Sequence, residues 1–182
     1  LAVEDLDLGA VFMLDTNLSN PAAYFAAQAN LKMAGLVGID GVTAEVNDLM
    51  LDLNQALSGD MAVVDFSQSS YELPDGSVAA GYRIETGDDA SPIILEFDER
   101  LIRLQGEAAF DLFGMATLDG AVEIKLTYEE FTLFIDAAAS VGGFLEGKGR
   151  ALLVADSSGL AASFGLSEIN LDLGAVELNV DS

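Results

Sequence analysis

Val46-Asn47-Asp48-Leu49-Met50-Leu51-Asp52-Leu53 sets the pattern from which the rest of the chain is read. From Leu49 on, leucine returns at every second position, which gathers these side chains on one face of a β-strand. Val46 to Leu49 is a step of three. That breaks the parity, so Asn47-Asp48 is expected in a bulge or tight turn. The same shape recurs in Tyr128-Glu129-Glu130-Phe131-Thr132-Leu133-Phe134-Ile135 and in Leu166-Ser167-Glu168-Ile169-Asn170-Leu171-Asp172-Leu173. Asp48, Glu130 and Glu168 occupy the break. An acid there can accept from local backbone N–H groups, or can offer calcium one carboxylate.

Alternation of this kind predicts an all-β chain, and the chain also repeats itself. Leu6-Asp7-Leu8-Gly9-Ala10-Val11 returns as Leu171-Asp172-Leu173-Gly174-Ala175-Val176, 165 residues later. Val3-Glu4-Asp5-Leu6 has the shape of the opening stretch but lies two residues out of register with that identity, and the hexapeptide is taken as the guide. Asp40-Gly41, Asp75-Gly76, Asp119-Gly120 and Asp156-Ser157-Ser158-Gly159 lie between alternating runs and read as hairpin turns. The expected fold is an antiparallel β-meander of about four hairpin units, elongated (a solenoid or stacked sheet) rather than globular. Residues 1–182 form one repeat-built domain: one period plus the start of the next, with units near 20–57, 58–90, 91–140 and 141–182. Pro21 to Gln28 reads either as a short helix capped by Asn20 or as the start of a strand. Gly142-Gly143 and Gly147-Lys148-Gly149 are read as places of close strand packing. The start at Leu1 reads as processing, or as a piece of something larger.

Charge limits the partners. The chain has 31 acidic residues against 7 basic ones, a net charge of −24. Nucleic acid is excluded, because phosphate binding needs clustered cations. Anionic membrane surfaces are disfavoured for the same reason. No apolar run reaches the length of roughly 18 residues that a membrane helix needs, so no membrane insertion is expected. The charge calls for screening by salt or bound cations.

Chemistry is sparse. There is no Cys and no His, which removes thiol and imidazole catalysis and ordinary zinc sites. Carboxylates fall at repeat-related places, whereas a catalytic site is one asymmetric constellation. The chain is read as not an enzyme. Calcium is the one cofactor considered, with Asp15, Asn17, Asp48, Asp88, Asp89, Glu130, Asp156 and Glu168 as candidate ligands. Asp52-Leu53-Asn54 puts two acceptors on one face and reads as a wet strand face. A long sheet with one Leu/Phe/Val face could also form a groove for a lipid.

The run Phe110-Asp111-Leu112-Phe113-Gly114, then Leu118-Asp119-Gly120-Ala121-Val122-Glu123, Phe131 to Ala137 and Asp156 to Ala162 resembles the tandem β-rich acidic repeats of very large bacterial surface and extracellular proteins. Phe12-Met13-Leu14-Asp15-Thr16-Asn17 is similar to their strands that end in an Asn/Thr turn. The resemblance implies a secreted or cell-surface structural protein: a fibre, adhesin stalk or surface-layer-like filament. Its partners would be neighbouring copies or adjacent repeats, joined through strand edges and unit stacking. The alternatives are a calcium-dependent adhesive or ligand-binding module, and a lipid-binding β groove.

Overall fold

The computed structural model describes residues 2–15, 21–36, 39–58, 62–86 and 92–172, and the backbone alone of 177–181. The chain is all-β. β1 (Ala2–Leu14), β2 (Ala23–Leu36) and β3 (Val42–Ser58) open a meander that continues with β8 (Leu101–Leu112), β9 (Ala116–Thr127), β10 (Glu130–Val141), β11 (Leu145–Asp156), β12 (Gly159–Asp172) and β13 (Glu177–Asp181). These nine strands form one antiparallel sheet in the order β1-β2-β3-β8-β9-β10-β11-β12-β13, with β1 and β13 as its edges and no closure into a barrel.

Between β3 and β8 the chain leaves the sheet and builds a cap. The cap holds a short 3-10 turn (Phe66–Gln68), the pair β4 (Ser70–Glu72) and β5 (Val78–Ala80), and the pair β6 (Tyr82–Ile84) and β7 (Ile93–Leu95). Phe66, Ile93, Leu95 and Phe97 of this segment pack on Ala26 and Leu101 of the sheet, with Val11 and Met13 alongside. Gly9 makes room for that packing, since a Cβ there would lie 3.0 Å from the Ile93 side chain. Phe66 also meets the edge of the Tyr82 ring, centroids 5.9 Å apart.

Asn54 fastens the cap at both ends. Its Nδ2 donates to the carbonyls of Val64 (3.0 Å) and Glu99 (2.9 Å). Beside it, the carboxylate of Asp52 accepts from Arg103 Nε at 2.7 Å and from Gln28 Nε2 at 2.8 Å. Asp52 and Asn54 are 0% and 1% exposed, so this is the driest polar spot among the described residues and not the wet face expected from sequence. The alternation was right. What covers it comes from the cap, which alternation cannot announce.

The parity break at Asp48 is a bulge. Asp48 has φ +49°, and the β3–β8 register shifts between Asn47 and Met50. A second shift falls where Ser167-Glu168 faces Lys148-Gly149. Glu130 instead follows the turn that joins β9 to β10. Asp5 has φ +51°, so β1 repeats the left-handed conformation of Asp48 in Val3-Glu4-Asp5-Leu6, while its register with β2 runs on without a shift. Leu6 and Leu49 are thereby in equivalent places, both opposite Leu31.

Turns are confirmed at Asp40-Gly41, Asp75-Gly76 and 156–159. Asp119-Gly120 is not a turn but the middle of β9. The turn between β8 and β9 is Phe113-Gly114, with φ +55° and +65° at the two residues, and that between β10 and β11 is Gly142-Gly143, at +61° and +67°. Consecutive positive φ is what a type I′ turn requires, and the Met115 N–H closes the first of these turns on the Leu112 carbonyl at 2.9 Å. An Asp-Gly signal was thus overridden by a Phe-Gly one six residues earlier, because the paired strands extend past Gly120. Residues 23–28 are strand, not helix.

Candidate functional surface

Cross-strand register decides which residues share a face. Leu51, Leu104, Ile124, Leu133 and Leu153 lie in one row across β3, β8, β9, β10 and β11. A parallel row is Leu53, Ile102, Leu126, Phe131 and Ala155. On β1 and β2 the same face carries Leu6, Leu8, Phe12, Phe25 and Leu31, and on β12 it carries Leu160, Phe164 and Leu166. The bulge at Asp48 keeps it apolar by correcting parity, since Val46 then pairs with Ala108 and Leu51 with Leu104, two positions of one face of β8.

Followed strand by strand from β1 to β12, the paired positions of this face bear no charged side chain; its polar spot is Gln55, whose Oε1 accepts from Nε of Arg100, just before β8, at 2.8 Å. The charges sit on the opposite face. Arg103, Lys125, Lys148 and Arg150 project there, with Asp119, Glu123, Asp136, Glu146 and Glu168. The cap covers the β1–β3 end of that charged face and leaves the apolar face open. Phe12 is 58% exposed, Leu118 45% and Phe164 73%.

The buried core is correspondingly small. Among the described residues the buried hydrophobic positions are Ala22, Ala26, Ala27, Phe66, Ile93, Leu95, Phe97 and Leu101. Most of the large apolar side chains of a chain that is 51% hydrophobic therefore lie on a sheet face and not in a closed interior. The accessible area is 11622 Å², whereas a compact monomer of this mass exposes about 8,400 Å².

Small residues score a shallow trough across the apolar face. Ala108, Gly120, Ala137 and Gly149 are directly paired across β8 to β11. A Cβ at Gly120 would come within 2.5 Å of Ala137 Cα, so β9 and β10 approach each other there more closely than any side chain allows. The trough widens near β11 and β12 into a groove of about 440 Å³ lined by Ile135, Ala137, Val141, Leu145, Phe164 and Leu166.

The candidate calcium ligands are dispersed. Asp15 ends β1, where its N–H donates to the Ala22 carbonyl at 2.8 Å. Asp48 lies beside Asp5, Asp7 and Lys32 in a shallow recess. Glu130 and Asp156 are cross-strand partners at one end of the sheet. Each has a local partner: Glu130 Oε1 accepts from Thr132 Oγ1 at 2.8 Å, and Asp156 Oδ1 from the Ser158 N–H at 2.7 Å and hydroxyl at 2.6 Å. These bonds hold the Asp156 carboxyl below its ordinary pKa, the Ser158 hydroxyl contributing most. Asp75 is lowered in the same way by Ser77. Glu168 pairs with Lys148 Nζ at 2.8 Å, and that contact raises the lysine. Asn17, Asp88 and Asp89 lie outside the described residues. Among the described residues no group of three or more acidic side chains is placed to hold a metal ion, and no helix is long and apolar enough to cross a membrane.

The buried Asp52–Arg103 pair and the Asn54 clamp were missed as structural centres. Their only signal was the spacing Asp52-Leu53-Asn54 opposite Arg103, in a chain with few cations. Comparison with protein-family models, curated proteins and solved structures returns no match.

Proposed function

We propose that this chain is a structural repeat of an extracellular fibre, adhesin stalk or surface-layer-like filament. The observation that carries the reading is the open nine-strand meander, whose edges are unclosed and whose apolar face is uncovered. A sheet of this kind would gain stability from neighbours stacked on it or joined to its edges. The edge strand β1 carries Glu4, Asp5 and Asp7, with a left-handed kink at Asp5. Acids at an edge oppose indiscriminate strand addition. Association is then left to the covalently adjacent repeat, which is present at high effective concentration. Bound calcium is not required by this reading, because Glu130, Asp156 and Glu168 each have a partner of their own.

The test is thermal unfolding of one period against two joined periods, at an ionic strength high enough to screen the charge. A higher midpoint for the joined pair is expected, since one junction replaces two free ends. Equal midpoints would count against the scaffold.

A further inference from the structure

We infer that the apolar face is an interface between two copies of this chain, packed face to face as the two layers of a β-sandwich. This deepens the scaffold reading by naming the surface and the partner.

Area is the first argument. Nine strands at about 4.8 Å spacing and about 12 residues at 3.4 Å each give a face of about 40 by 40 Å, or some 1,600 Å². Two such faces bury about 3,200 Å² in all, inside the range of obligate homodimers. The area that this chain exposes beyond a compact monomer is of the same size, about 3,200 Å². One face pairing removes roughly half of that excess from each copy.

Charge is the second argument. A two-fold interface sets a surface against itself, so any charge on it meets its like. The strand positions of this face have none from β1 to β12, although the chain carries −24, and the one cation at its margin, Arg100, is held by Gln55. The charged faces of the two copies would point outward on opposite sides of the sandwich, separated by more than the Debye length of about 8 Å at physiological salt.

Shape is the third. The row Ala108-Gly120-Ala137-Gly149 leaves a trough beside the ridge of Val122 and Ile135, and sheets that pack about 10 Å apart interdigitate ridge with trough. A bilayer fits this surface less well. The chain has no Trp, its tyrosines at 24, 71, 82 and 128 lie off the apolar face, and an anionic headgroup layer would meet a strongly acidic protein.

The experiment is sedimentation velocity on the 182-residue chain across micromolar concentrations. It compares the wild type with the double variant Leu126→Glu/Phe164→Glu on the apolar face and with Ser163→Glu on the charged face. The wild type and S163E are expected at twice 19.0 kDa, and the double variant is expected to dissociate at least about a hundredfold more readily. Added salt should strengthen the wild-type dimer by screening the outward charges. A second readout covers the case in which the double variant misfolds. Spin labels on Leu126→Cys and, separately, on Thr132→Cys should give a shorter label-to-label distance for 126 than for 132. A wild type that stays monomeric, a monomer that carries phospholipid in native mass spectrometry, or a dimer that survives L126E/F164E would each overturn the proposal. None of these touches the melting comparison of joined periods, so the two readings fail separately.

Discussion

Arg103 reaches across from β8 to a fully buried Asp52 on β3 and sets both Nε and Nη2 on one carboxylate oxygen, Nε at 2.7 Å. The other oxygen takes Gln28 Nε2. One row of the charged face thus ties β2, β3 and β8 together beneath the cap. Asp52→Ala is expected to cost about 3 kcal/mol, because it leaves a half-buried guanidinium without its partner. Arg103→Lys should recover only part of the stability, since an ammonium cannot supply the two-nitrogen contact. Urea unfolding of the two variants checks both; equal stability of R103K and wild type would show that the fork is immaterial.

Asn54 makes a sharper case. Its amide donates to two carbonyls from opposite ends of the cap. Asn54→Ala removes the donor from both carbonyls, at a cost of about 2 kcal/mol. Asn54→Asp should be worse at neutral pH, since a carboxylate would face those same oxygens, and should improve as acid protonates it. Limited proteolysis is the local readout: cleavage within 59–100 should accelerate in both variants before the main sheet is cut. An Asp variant as resistant as wild type would refute the clamp.

Asp5 and Asp48 are paired, through the register, with the same Lys32 on β2, and both hold left-handed φ. Asp tolerates that conformation better than most residues, and Gly tolerates it best. Asp48→Gly should be close to neutral and Asp48→Val should lose about 2 kcal/mol, a branched side chain being ill suited to positive φ. Val also favours extended backbone, which would flip Val46 and Val42 toward the charged face. Denaturant midpoints of the pair give the test; the reverse order would mean that the bulge is not set by this residue.

Legibility followed the range of the interaction. Alternation and the three-residue step placed Leu49, Leu51 and Leu53 on one face and Asp48 in a bulge, because both are local properties of a strand. The Asp119-Gly120 turn failed because pairing with Ala108 and Ala137 holds Gly120 in mid-strand, and Phe113-Gly114 can make the turn instead. Asp52 and Asn54 looked wet because the cap reaches them from residues 64–99, a contact with no periodic signature. The candidate acids show the same division. Asp156 and Glu130 are held by residues two positions away, while cation binding would need acids from distant strands to converge.

Exposed carboxylates and a lysine on the charged face give a pH test of opposite signs. The Asp156 pKa is lowered in the folded chain, by the Ser158 hydroxyl first and its N–H second. Its contribution is therefore full above the unfolded value of about 3.9 and is lost as pH falls through the folded value. The Lys148 pKa is raised, chiefly by its bond to Glu168. That contribution is full below the unfolded value of about 10.4 and is lost as pH rises through the folded one. Asp156→Asn should be less stable than wild type at pH 7 and should converge with it in strong acid. Lys148→Met should be less stable at pH 7 and converge only in strong alkali. Differences between wild type and variant cancel the background relief of repulsion that acid brings to so anionic a chain, which absolute melting temperatures would not. A pH-independent gap for either variant would mean that its turn or ion pair matters through shape and not through charge.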